Sequence, residues 1–186
     1  TTTTVGASAS RTSGNPGSLS ANVTSRSGTP TGTMAFSAGT TLLCPAAVVN
    51  NGLATCRTSS LGVGPNQVTA AFTPDTSAFG SSSGSATITV APAPLTITTL
   101  PSTRVYGGAN PAFTAVYSGF VNGDGPASLS GTLSFSTTAT AASPAGAYDV
   151  TPFGLSSPNF ALAFSAGTLT VPSAPPPVTP AYRTSV

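Results

Sequence analysis

Cys44, Cys56 and three aspartates, Asp75, Asp124 and Asp149, are the side chains of this 186-residue chain best suited to metal, redox or acid–base chemistry. Their types and spacing leave little of it open. A structural or catalytic zinc needs three or four Cys, His or carboxylate ligands, and the chain has no His and no third Cys. The two cysteines are too far apart for a thioredoxin-like pair. Two readings of them remain: a structural disulfide in an oxidising compartment, or two buried thiols. Without His there is no Ser-His-Asp or Cys-His arrangement, and without Lys no Schiff base or amine nucleophile. There is no Glu, so a carboxylate pair must come from the three Asp. Each of these lies in a Gly- or Pro-punctuated segment and reads as a turn-forming or capping residue. They are also too few for a calcium loop. The expectation is therefore no catalytic site, no cofactor and no metal.

Charge is scarce throughout. Five Arg and three Asp are the whole complement, 4% of residues, against about a quarter in ordinary domains. The net charge of +2 is scattered, which argues against a phosphate-tracking surface and nucleic-acid binding. No run of about 20 apolar residues occurs, so no membrane insertion is expected. No basic stretch followed by an apolar run opens the chain; Thr1 is expected to begin a mature or excised segment.

The elements that must carry these side chains read as strands. Leu19, Ala21 and Val23 alternate with polar residues, as do Met34 with Phe36, Val68 with Ala70 and Phe72, and Ile88 with Val90. One apolar and one hydroxylated face is the mark of a half-buried antiparallel strand. Turn residues recur every 8–12 positions or so, which argues for a sandwich or small barrel. Asn51-Gly52 fits a type I′ hairpin turn and predicts pairing of Val49 with Ala54 and of Ala47 with Cys56. Cys44 then reaches Cys56 only if Pro45 bends the strand.

Thr87 to Val90 closes a first module and is followed by Ala91-Pro92-Ala93-Pro94. Thr168 to Val171 closes a second and is followed by a Pro-rich stretch. The layout is a module over 1–91, a linker over 92–94, a module over 95–171 and a tail over 172–186 that reads as polyproline II or disorder. In the second module Leu95 and Ile97, Leu133 and Phe135, Phe160, Leu162 and Phe164, and Leu169 and Val171 are expected to face inward. One helical turn is expected there, with Asp124 capping Gly125 to Ser128. The Thr rows 87/89, 96/98 and 168/170 suit exposed strands; ice or polysaccharide binding is the less favoured reading. Asn22-Val23-Thr24 is a formal glycosylation sequon.

Several longer segments resemble known families. Thr1 to Val5, Gly28 to Phe36, Asn51 to Thr55 and Val68 to Phe72 resemble the bacterial Ig-like repeats. The chain departs from them at Phe72-Thr73-Pro74-Asp75, where a Tyr-Ser-Gly-Asp type is usual. Arg104 to Pro111, Tyr117 to Phe120, Asn122 to Asp124, Leu129 to Gly131 and Leu155 to Asn159 resemble the MBG repeat of the YGX type. The resemblance implies an all-β chain of two tandem modules, the first an Ig-like sandwich, the second Ig-like or β-grasp-like. It also implies a Cys44–Cys56 disulfide, as some members carry a Cys pair so placed. It implies further an extracellular or cell-surface bacterial protein with a structural or adhesive role, in a stalk or a self-assembling fibre. Without Lys, neither isopeptide cross-links nor Lys-linked polymers are available, so assembly with copies of itself would be non-covalent, with strand donation as the natural route. The N-terminal Thr run and the tail are the candidate bridges. The alternative is a spacer or glycan-binding module of a larger secreted adhesin or enzyme, with a surface glycan as partner.

Overall fold

Alternating apolar and hydroxylated residues become sheets with one buried face. The computed structural model of the chain describes residues 1–7 and 11–173. The first module holds β1 (Thr2–Ala7), β2 (Arg11–Thr12), β3 (Gly17–Thr24), β4 (Gly32–Ala38), β5 (Thr41–Val48), β6 (Leu53–Thr58), β7 (Gly64–Pro74) and β8 (Ser82–Ala91). They form a three-stranded sheet, β1-β3-β6, and a five-stranded sheet, β2-β8-β7-β4-β5. Leu19, Ala21, Val23, Met34, Phe36, Val68, Ala70, Phe72, Ile88 and Val90 are buried in one core, on the faces their alternation predicts. Two sheets closing on such a core make the Ig-like sandwich.

The opening Thr run is built into this sandwich rather than left as an arm. All six residues of β1 pair antiparallel with β3, from Thr2↔Thr24 to Ala7↔Leu19. The chain then changes sheets: β2 pairs parallel with the end of β8, Arg11↔Val90 and Thr12↔Ala91.

The Asn51-Gly52 turn forms, but the hairpin predicted around it does not. Both residues have positive φ, 49° and 75°, and Asn50 and Leu53 exchange two backbone hydrogen bonds of 2.9 Å. Pairing stops at that one bridge. Val48 pairs with Thr33 of β4, whereas Leu53 and Ala54 pair with Asn22 and Ala21 of β3. Each arm has a better partner in a different sheet, so the turn is a corner between sheets, and Ala47 does not oppose Cys56. Pro45 sits where proline is tolerated, on an edge strand at a bulge. The β4–β5 register passes from Met34↔Ala47 to Phe36↔Cys44, one extra residue on β5.

The second module holds β9 (Ala93–Thr99), β10 (Ser102–Thr103), β11 (Ala115–Ser118), a 3₁₀ turn (Pro126–Ser128), β12 (Ser130–Thr137), β13 (Gly146–Ser156), β14 (Phe160–Ser165) and β15 (Gly167–Val171). Its sheets run β11-β9-β14 and β10-β15-β13-β12. The two-residue strand β10 pairs parallel with the last strand, β15, as β2 does with β8. Leu95, Ile97, Phe160, Leu169 and Val171 are buried as predicted, and Leu133, Phe135 and Leu162 are half-buried. Phe164 departs from the prediction: it is 38% exposed near the end of an edge strand. The cap also differs. Gly125 occupies the N-cap without a side-chain bond, and Ser128 Oγ donates to its carbonyl at 2.7 Å. Asp124 takes no capping role there. The described residues divide into two compact units, one built on Thr1–Pro94 with Phe120–Asp124 and Pro158–Ala161, the other on Leu95–Gly119, Gly125–Ser157 and the strands from Leu162 to Val171. Of the tail expected over 172–186, residues 174–186 lie outside the described residues.

Candidate functional site

The residues with reactive side chains are dispersed. Cys44 lies on β5, the edge of the five-stranded sheet, and Cys56 on β6, the edge of the three-stranded one. They are joined as a disulfide with Cα atoms 6.0 Å apart, inside the span a bridge needs. The bridge therefore links one sheet to the other across the sandwich edge. Cys56 is buried and Cys44 half-buried. Asp75 follows β7 and accepts a 2.7 Å hydrogen bond from Thr31 Oγ1, while its own N–H donates to the Thr31 carbonyl. It lies in a bend, as expected, but its carboxylate ties that bend to the distant Thr31 instead of capping its own turn. Asp149 is not in a turn; it is exposed in the middle of β13. Among the described residues no three Cys, His, Asp or Glu side chains gather where a metal ion could be held.

A polar cluster that sequence reasoning missed centres on Arg104, only 7% exposed. Its Nε donates to Asn110 Oδ1 at 2.9 Å, its Nη1 to the Val105 carbonyl at 3.1 Å and its Nη2 to the Thr140 carbonyl. Asn110 Nδ2 in turn donates to the Ala139 carbonyl at 2.8 Å. A buried guanidinium usually faces a carboxylate, but here neutral oxygens take up all three directions of its planar fork. The clamp ties the Val105–Asn110 loop to the loop at Ala139–Thr140. Gly107 N–H adds a backbone bond to the Ala141 carbonyl. The loop tip stays outside, with Val105 72% and Tyr106 64% exposed. The one available signal was an Arg in an otherwise uncharged strand-like segment, six residues before an Asn. Its long-range acceptors are backbone carbonyls, which no residue type announces.

Of the Thr rows, Thr87 and Thr89 of β8 and Thr168 and Thr170 of β15 are exposed, while Thr98 is half-buried. The β15 pair belongs to a hydroxylated face that continues onto β13 and β12. Thr168 lies opposite Asp149 and Thr170 opposite Ala147, while further along β13 Thr151 lies opposite Ser136 and Phe153 opposite Ser134. Phe153 is 47% exposed on that face. A shallow depression there is lined by Ser136, Thr137, Asp149 and Thr151. Hydroxyl donors, one carboxylate acceptor and one aromatic ring make a surface suited to a neutral, hydroxyl-rich ligand. Asn22 of the sequon is exposed on β3, mid-sheet.

No curated protein matches the chain. Family models do match it, in the order the motifs run: a bacterial Ig-like domain (group 3) over residues 3–91, then an MBG domain (YGX type) over residues 95–170. Both kinds of domain are typical of surface or secreted bacterial proteins and fit a stalk or adhesin-type module. They are structural families rather than enzyme families. No helix among the described residues is long and apolar enough to cross a membrane. With the sandwich, the sheet changes and the clamped Tyr106-Gly107 loop in place, the chain is a bacterial Ig-like domain of group 3 followed by an MBG domain of the YGX type.

Proposed function

We propose that the chain is a structural and adhesive piece of a bacterial surface: two β modules in tandem that form a stalk or a non-covalent fibre with copies of themselves. The observation that carries this reading is the pairing of two structural surface families, each with its own buried β core, in a chain with almost no surface charge to repel a copy. The Cys44–Cys56 bridge supports an oxidising, extracytoplasmic setting. The Thr run is already paired as β1, so addition at an outer sheet edge suits assembly better than donation of the N-terminus. Electron microscopy of the purified chain over a concentration series tests the fibre; monomers at every concentration would reject it.

The second reading is a spacer or appendage that binds a surface glycan. It is favoured by the outer face of β13 and β15, where exposed Phe153 and Asp149 lie among Thr and Ser hydroxyls. Glycan-array binding that disappears in Phe153→Ala and Asp149→Asn supports it. Its absence from every array of neutral glycans would end it.

A further inference from the structure

A sheet edge presents a row of unpaired backbone donors and acceptors, and soluble proteins guard such rows with charge, proline, bulges or shortness. Most edges here are guarded. On β1, Thr3 Oγ1 bonds Ser82 Oγ at 2.7 Å, and a Cβ at Gly84 would overlap the Thr3 carbonyl, so that edge is closed against β8. Edge β5 carries Pro45 and register shifts, and edge β6 carries Arg57. Strands β2 and β10 are two residues long and β11 is four. Edge β12 is broken by a register shift between Gly131 and Ser134. β14 is less guarded: six residues without charge, proline or glycine, at the end of the order β11-β9-β14. That is the composition of a strand-pairing segment. Ala161, Ala163, Phe164 and Ser165 are exposed.

We propose that β14 pairs antiparallel with β14 of a second copy, across a two-fold axis at Ala163. A two-fold normal to the sheet keeps the core-side faces of both copies together, so paired residues must share parity along the strand. An axis at Ala163 sets Leu162 opposite Phe164, twice, on the core side. Half-buried Leu162 then covers the Phe164 ring that its own module leaves 38% exposed. On the outer side Ala163 meets itself and Ala161 meets Ser165, small residues that let the backbones approach. No charge is brought near another. The inference rests on the self-association reading and supplies one contact of it: a two-fold contact closes on itself, so alone it makes pairs.

The test is sedimentation of the whole chain over a concentration series. The wild type should move from the mass of one chain, 17.9 kDa, towards twice that. Ala163→Lys, which sets two like charges opposite each other, should stay at one chain with unchanged circular dichroism and melting. Phe164→Ser removes the covering ring and decides the matter if the lysine variant fails to fold; it should dissociate at concentrations where the wild type is paired. Ala163→Cys should give a disulfide-linked pair under oxidation, and Thr168→Cys should not. Wild type and both edge variants pairing equally would overturn the β14 assignment and leave self-association standing. A wild type that is monomeric throughout would overturn both.

Discussion

Replacing Arg104 with Met tests the clamp most sharply. The substitution keeps the aliphatic stem and much of the volume but removes three charge-assisted hydrogen bonds. At about 1.5 kcal/mol each these would sum to ~4.5 kcal/mol. The Val105 carbonyl belongs to a residue 72% exposed, so water replaces its bond, and the loss falls to about 3 kcal/mol. For a module of this size that lowers the melting temperature by about 12–24 °C. Arg104→Lys should fare no better, because it keeps a buried charge and loses the planar fork. The readout is built into the chain: there is no Trp, and the four Tyr are 106, 117, 148 and 182, all beyond the first module. Tyrosine fluorescence during thermal or urea unfolding therefore follows the second module. An unchanged transition in Arg104→Met would refute the claim that the clamp holds the loop, since the same acceptors would then be satisfied without it.

Removing the Cys44–Cys56 bridge, by Cys44→Ala with Cys56→Ala or by reduction, should destabilise the first module by about 3 kcal/mol, the entropy of closing a loop of this length. Mass spectrometry of unreduced protein should first show the two-proton deficit of a bridge, and intact thiols would contradict it. Gly52→Ala should cost roughly 1–2 kcal/mol in urea unfolding, because φ is 75° there and a Cβ would press on the Val23 carbonyl. Phe36→Ala, in the centre of the core, should cost about 3–5 kcal/mol, whereas Leu42→Ser, 59% exposed on the edge strand, should stay within about 0.5 kcal/mol.

Much of the fold was legible because its signals are local. Alternation put Leu19, Phe36, Phe72 and Val90 on the core side, and a two-residue Asn-Gly turn needs nothing beyond its own dihedrals. The partners of the turn's arms were not legible. The same turn serves a hairpin or a corner, and the choice was made by β4 and β3 competing for Val48 and Leu53. The hairpin assumption made the Cys44–Cys56 bridge look awkward; once the two strands part into separate sheets, the geometry is ordinary. Phe164 kept the right parity but lacks cover, since a period-2 pattern names a face and not what lies over it. The role of Arg104 is hidden in the sequence for a similar reason. A cation read from sequence is assigned to the surface unless a carboxylate is near, and here its partners are carbonyl oxygens and one amide.

Immunogold labelling of intact, unpermeabilised producing cells with antibody against the chain shows whether the protein is a structural part of the cell surface. Gold is expected on the outer surface, along stalks or fibres. Gold found only after permeabilisation would contradict it.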